Sequence, residues 1–375
     1  MISKYLDNRF ISLFLIPFFV GSLSVLSFQP FNLTFVNFFT LPVCFYLIVY
    51  IKKKSKSVYR KKPYKKNLFF FGTAFGFGFY LSGLHWVTNS LTFDDSFKIL
   101  IPFGIILIPL FLSLFFSITT LLIGPLLNLN FKSIILFSAS LAFSDYIRNF
   151  IFTGFPWNFW CYSLSWATEL IQVLNNLGLF AFNLIIITIF MLPAVIFTDL
   201  KFVQKIYTLL ILILIIFMSY IYGNHSINLN KKNLKNIENK INIKVISPNF
   251  KLEYGLSKAD VENRLEKLIK YSDPEKDKKT LFVWPEGVLS GYSFKEIKNL
   301  SKNFSKNFSK NHFILFGINR LDEKKNGIYN SLIIVDHEMN IIQEYKKQKL
   351  VPFGEFLPFE NVLSKIGLKK ITEGH

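Results

Sequence analysis

Two places in this 375-residue chain combine residue types and spacing that could carry chemistry. The first is Glu286, in Trp284-Pro285-Glu286, directly after the apolar run Leu281–Trp284. A carboxylate at the end of a buried strand is partly desolvated, which raises its pKa and suits it to general-base work. The competing reading is an exposed turn residue. The second place is Lys347 to Glu355, a lysine and a carboxylate bracketing an apolar turn with Pro352 and Gly354. An ammonium there could hold a developing oxyanion. Lys346 and Lys349 beside it support the plainer reading of a solvated basic cluster. A third pair, Asp145 and Arg148, stands one helical turn apart at the end of an apolar stretch. It belongs either to a transport path or to a structural ion pair. The two cysteines, Cys44 and Cys161, lie in or beside apolar runs with no metal-ligand or disulfide spacing, and read as small core residues. No cofactor or metal site is expected.

The elements that must position these residues are of two kinds. Hydrophobic residues make up 51% of the chain and charged residues 18%, with 45 Phe, which excludes a disordered chain, a coiled coil and a small disulfide scaffold. Seven apolar stretches, at about 10–28, 31–51, 68–90, 99–127, 133–150, 175–197 and 206–222, mostly reach the roughly 20 residues that cross a bilayer. The expectation is a multi-pass α-helical membrane bundle over 1–223.

The net charge of +19 could suggest nucleic acid, but its placement argues otherwise. Nine of the Lys and Arg fall between Lys52 and Lys66, whereas the loop at 92–98 holds Asp94 and Asp95. That asymmetry puts the N-terminus and the basic segment in the cytoplasm and, after seven spans, everything past residue 222 on the far side. The expected partner of the charge is membrane lipid with anionic headgroups, and no nucleic acid.

After Gly223 the composition turns to Asn and Lys, read as a linker over 224–240, and 241–375 alternates strand and helix. Strands are expected at Ile241–Ile246, Leu281–Trp284, Phe313–Gly317, Ser331–Asp336 and Ile341–Tyr345, the last two joined by a turn at His337–Asn340. Ser257 with Asp260 is a capping box opening a helix to about Tyr271. In the repeat Ser301–Lys310, Phe304 and Phe308 suit an amphipathic helix. This describes an α/β domain.

In their order, Glu286, Gly317, Tyr329-Asn330-Ser331, Tyr345-x-Lys347 and Pro352-Phe-Gly-Glu355 resemble the nitrilase superfamily. Ser27-Phe-Gln-Pro-Phe-Asn32, Gly83-Leu-His-Trp86, Thr153-Gly-Phe-Pro-Trp157 and Tyr162-Ser163 resemble apolipoprotein N-acyltransferases. The resemblance implies that 241–375 is the N-terminal part of an incomplete nitrilase-like αββα sandwich facing the periplasm from the inner membrane. It also implies a Glu–Lys–Cys triad that takes an acyl chain from a phospholipid donor as a thioester. The chain then passes to the N-terminal diacylglyceryl-cysteine of an apolipoprotein acceptor. Glu286 matches the general base, Lys347 the oxyanion-stabilising lysine and Glu355 a supporting carboxylate. The pattern is departed from in three places. Ser247 stands where the family has Gln, Tyr254 where it has Trp, and the nucleophilic Cys has its place beyond Glu355, where this chain runs on only to His375. The expectation is therefore a fragment of a longer enzyme, inactive alone, in preference to an inactive remnant. A membrane-tethered nitrilase-type amidase and a transporter are the alternatives.

Overall fold

The computed structural model describes residues 8–55, 63–92, 95–237, 241–251, 253, 255–300, 304–322, 327–352 and 354–366. Asp94, Tyr254, Ser301, Phe353, His375 and, in the basic segment, Lys56, Arg60, Lys61 and Lys62 lie outside the described residues. The chain divides into two compact units, 1–236 and 237–375.

The first unit is helical. Its principal helices are α1 (Ile16–Ser24), α2 (Asn37–Ser55), α3 (Pro63–Leu84), α4 (Ile101–Ile123), α5 (Phe131–Arg148), α6 (Leu179–Phe190) and α7 (Phe202–Lys235). Among the described residues, four helical stretches are long and apolar enough to cross a membrane: Thr34–Lys54, Lys65–Thr92, Phe97–Ile123 and Phe202–Lys235. Ile11–Ser27 and Leu179–Phe190 are apolar but shorter. α6 ends at Met191 because Pro193, which has no N–H to donate, opens a separate turn. Helix α7 runs through Gly223 to Lys235, so the first twelve residues of the polar segment read as a linker are helical. Polar composition changes how a helix is solvated. It does not stop the backbone ladder, and there is no proline to do so.

Close packing in this unit rests on small residues. A Cβ on Gly72 would stand 2.2 Å from the Thr120 hydroxyl, and one on Gly76 would stand 2.8 Å from Ser113 Cα. The missing side chains let α3 and α4 approach to backbone contact, which suits helices that gain no hydrophobic drive from a lipid solvent. Thr120 and Ser117 complete the seam by bonding to Leu68 O and the Thr73 hydroxyl, at 2.8 Å each. Lys52, counted among the orienting charges, is instead buried, with its ammonium on Leu127 O and Asn128 Oδ1.

The second unit is one five-stranded sheet with helices α8 (Lys258–Ser272), α9 (Phe294–Leu300) and α10 (Phe304–Asn307). The strands β1 (Asn242–Val245), β2 (Thr280–Val283), β3 (His312–Asp322), β4 (Gly327–Val335) and β5 (Ile341–Lys346) lie in chain order across the sheet. β1, β2 and β3 are parallel, and β3, β4 and β5 antiparallel. All five strands fall where alternation places them, within a few residues. The capping box forms as expected: Ser257 Oγ accepts from Asp260 N, and Asp260 Oδ2 accepts from Ser257 N. The β4–β5 turn is held by Asp336, whose Oδ1 accepts from the Glu338 and Asn340 amides.

One face of the sheet is clad. Phe282, Trp284, Ile314, Phe316, Ile333 and Val335 are buried in one core with Val261, Leu265 and Leu268 of α8 and the tilted ring pair Phe304 and Phe308. The other face is apolar and largely uncovered. Register places Ile243, Leu281 and Phe313 in one row and Val245, Val283, Leu315 and Ile334 in the next. Ile243, Val245 and Leu332 are exposed.

Candidate active site

The three chemistry-bearing side chains of the second unit are placed by the sheet's edges and ends. β2 delivers Glu286: Trp284 locks the strand end, its indole N–H donating to Ser272 Oγ at 2.9 Å, and Pro285 then turns the chain. Glu286 stands over β3, where a Cβ on Gly317 would lie 3.5 Å from its Cγ. That is ordinary van der Waals contact, so Glu286 packs directly on the strand at this position. β4 supplies Asn330, whose Nδ2 donates to Glu286 Oε1 at 3.4 Å. Lys347 continues the ladder beyond β5, its amide donating to Asn330 O at 2.9 Å. Pairing parity puts Gly317, Asn330 and Lys347 on the uncovered face.

The loop after β5 folds back on Lys347. The Lys347 ammonium bonds to Glu355 Oε1 at 2.7 Å, while Glu355 Oε2 accepts from the Val351 amide at 2.8 Å. The Asn330 side-chain amide also favours the charged form of Glu355, so it stands between the two glutamates. Partial burial acts to raise the Glu355 pKa, but the bonds from Lys347, the Val351 amide and Asn330 outweigh it and hold the carboxyl below its usual range. The Glu355 side chain is 16% exposed and that of Lys347 34%, so the ammonium keeps an open side. Glu286 is exposed. Chemically, the set offers a carboxylate free to take a proton beside an ammonium fixed by a second carboxylate.

A cavity of about 200 Å³ adjoins Glu286, walled by Ser247, Asn249, Phe250, Arg264, Pro285 and Val288. It lies in the loops that follow the parallel strands β1 and β2, where open α/β sheets usually take their ligands. Ser247, noted for its place in the sequence, thus lines the same cavity as Glu286. Among the described residues no cluster of three His, Cys, Asp or Glu could hold a metal ion.

In the first unit the separate motifs meet. Trp86 of Gly83-Leu-His-Trp86 packs on Trp157 of Gly154-Phe-Pro-Trp157, ring centroids 5.1 Å apart. Asp145 and Arg148 hold that second motif. Arg148 Nη1 donates to Phe155 O at 2.8 Å and Trp157 O at 2.7 Å, and Nη2 to Asp145 Oδ1 at 2.9 Å. The guanidinium lies against the Tyr80 and Phe159 rings. Asn183 completes the network, giving Asp145 Oδ2 a hydrogen bond at 2.9 Å and accepting from the Cys161 amide. Every partner is internal, which favours the structural ion pair over a transport path. Cys44 and Cys161 are free and buried.

Asn183 and the bridging function of Asn330 were not singled out from sequence. An asparagine in the otherwise apolar run Leu179–Phe190 was a usable signal, because a polar side chain there needs an internal partner. Asn330 stands within the Tyr329-Asn330-Ser331 motif, which marks its position but gives it no partner.

These motifs agree with the comparisons to known proteins. A family model described as the apolipoprotein N-acyltransferase N-terminal domain matches residues 20–192. An apolipoprotein N-acyltransferase of Rhodopseudomonas palustris is 28% identical over 376 residues, covering 96% of this chain and 68% of its own length. The chain is similar to apolipoprotein N-acyltransferases over nearly its whole length. Other apolipoprotein N-acyltransferases, from Bradyrhizobium diazoefficiens and Rickettsia prowazekii, are each 28% identical; the matches cover 96% and 92% of this chain and 67% of each relative. The candidate residues of both units fall within the stretch over which the chain resembles these apolipoprotein N-acyltransferases.

Proposed function

We propose that this chain carries the membrane bundle and the acid–base half of a phospholipid-dependent N-acyltransferase. Its acceptor would be the N-terminal diacylglyceryl-cysteine of an apolipoprotein. The observation that carries the reading is the convergence of Glu286, Asn330, Lys347 and Glu355 in a chain similar to this family. Glu286 takes the proton of a cysteine thiol, and the thiolate attacks an ester carbonyl of the phospholipid. The C–S bond forms, the ester C–O bond breaks, and the leaving alkoxide takes the proton from Glu286 to depart as lysophospholipid. The acceptor amine then attacks the thioester, its proton passes to Glu286, and the thiolate leaves as the C–N bond forms. Lys347 holds the oxyanion of both tetrahedral intermediates, and Glu355 fixes Lys347.

The thiol comes from residues beyond these 375, since Cys44 and Cys161 are buried in the first unit. The uncovered apolar face of the sheet supports a sandwich in which a second layer covers it. Seven spans follow if Ile11–Ser27, Phe131–Arg148 and Leu179–Phe190 cross the bilayer along with the four longer stretches. An odd count and the basic segment at 52–66 would support a cytoplasmic N-terminus and a periplasmic second unit at the inner membrane.

The test uses the full-length protein with phospholipid and a diacylated lipopeptide, read by mass spectrometry. The product gains one acyl chain. Glu286→Gln and Lys347→Met are each expected to lower its rate by about 10²-fold or more. A rate within tenfold of the unaltered protein in either variant would remove that residue from the mechanism.

A further inference from the structure

One charged side chain of the second unit is buried and has no part in the chemistry above. Arg264 follows Val261 by one turn of α8, so it faces inward with Val261, Leu265 and Leu268. Its side chain is 10% exposed. A guanidinium in such a place persists only where protein acceptors replace its water. Those acceptors come from two other segments. Nη2 donates to Lys251 O at 2.9 Å and to Glu253 Oε2 at 3.3 Å, both in the loop after β1. Nη1 donates to Val288 O at 3.3 Å, in the loop after β2. The guanidinium also lies over the Phe250 ring, 5.1 Å from its centroid. The same two loops wall the cavity beside Glu286, and Arg264 lines it with them.

Val288 comes two residues after Glu286, and Gly287 between them sits at φ +75°, in the left-handed region that favours glycine. Glu286 is therefore carried on a turn that can swing unless both of its sides are held. On the strand side Trp284 N donates to Leu315 O at 2.9 Å. On the other side the Val288 carbonyl is bonded to Arg264. The Glu286 carboxylate itself receives from Asn330 only at 3.4 Å, beyond the usual hydrogen-bond range, so its placement follows its backbone. Ser290 Oγ, donating to Glu253 O at 2.7 Å, and the Tyr292 hydroxyl, donating to Leu256 O at 3.1 Å, join the same segments. A hydrophobic side chain of similar volume could often fill the place of a buried ion without loss of stability. It could not bond two loops at once, which a planar fork of donors does. We propose that Arg264 is a positioning residue for Glu286. It fixes the loop after β2 against the loop after β1, and so holds the carboxylate where Asn330 and Lys347 converge. The assignment rests on the reading of Glu286 as the general base.

The test uses the full-length protein with phospholipid and a diacylated lipopeptide, and reads hydrogen exchange in parallel. Arg264→Met keeps much of the side-chain volume and loses the fork. It is expected to lower kcat about tenfold or more, with KM for either substrate within about twofold. In the Glu286→Gln background no base remains to be placed, so adding Arg264→Met is expected to change the residual rate by less than about twofold. Amides at 250–251 and 287–289 should exchange about tenfold faster or more in Arg264→Met, with those of β3 to β5 unchanged. Where Arg264→Met does not fold, Ser290→Ala decides: a several-fold fall in kcat at constant KM supports the linkage, and none overturns it. Equal losses of rate from Arg264→Met in the unaltered and Glu286→Gln backgrounds would overturn the proposal and leave Arg264 a structural residue. So would a rise in KM with kcat unchanged, or unaltered exchange at 287–289. If the unaltered protein transfers no acyl chain, the acyltransferase reading fails instead, and exchange at 287–289 decides whether Arg264 holds the loop.

Discussion

Replacing Arg148 with methionine tests whether the buried network holds the Gly154–Trp157 loop. The substitution keeps much of the side-chain volume and removes the charge and all its donors. Asp145 is then left at 8% side-chain exposure with Asn183 as its remaining partner, and the carbonyls of Phe155 and Trp157 lose their shared donor. Breaking a buried pair by removing one member costs about 3–5 kcal/mol. Hydrogen bonds to a charged group contribute about 1.5–3 kcal/mol each, so the two lost carbonyl bonds alone reach the same range. At roughly 2–4 °C per kcal/mol for a unit of this size, the melting temperature should fall on the order of 10 °C. Tryptophan fluorescence in detergent micelles reads it, because Trp86, Trp157 and Trp160 sit on or beside the loop. Asp145→Leu with Arg148→Met removes both charges and should cost less than the sum of the single changes, since neither ion is left unpaired. The loop carbonyls remain without their donor, so recovery should be partial. Additive single and double effects, or a loss below about 1 kcal/mol for Arg148→Met, would show that the pair holds nothing.

Three further outcomes follow from contacts described above. Gly76→Val drives a side chain into Ser113 and should separate α3 from α4, lowering the yield of folded protein in a detergent melting assay. Asn330→Leu removes the amide that stands between Glu286 and Glu355 and should reduce acyl transfer by the full-length protein at least tenfold without lowering its melting temperature by more than a few degrees. Glu355 and Asp336 both titrate below their ordinary values in the folded state, despite burial that acts to raise them, because amide and side-chain donors favour their charged forms. The unfolded chain therefore binds protons first. The stability these groups supply is present above the unfolded values near 4, and is lost as pH falls through the lower folded values. Trp284 fluorescence between pH 6 and 3 should report acid unfolding of the second unit, and Glu355→Gln should make its stability depend less steeply on pH.

Much of the second unit is legible because its signals are local. Strand alternation, the Ser257 and Asp260 reciprocal cap and the Asp336 turn all act within a few residues, and the motifs around Glu286, Lys347 and Glu355 are short words in the chain. The parts that were not legible depend on distant partners. Nothing near Lys52 says that its ammonium turns inward onto Leu127, 75 residues on. Nothing near Arg148 says that it caps the carbonyls of the loop that follows. The end of α7 was misplaced for another reason. A change of composition at Gly223 marks a change of solvent, and the backbone has no cause to break there.

The strand order has a consequence for how the second unit is made. Each strand pairs with the one synthesised just before it, the two parallel pairs across connections of 34 and 28 residues and the two antiparallel pairs across short turns. The sheet can grow from β1 to β5 as the chain is synthesised, offering one new edge at a time. Glu286 is placed early, with β2, but Lys347 and Glu355 come only after β5 has docked. Glu286 and Lys347 therefore come together last, once the strands between them are in register, and no partly made sheet carries both.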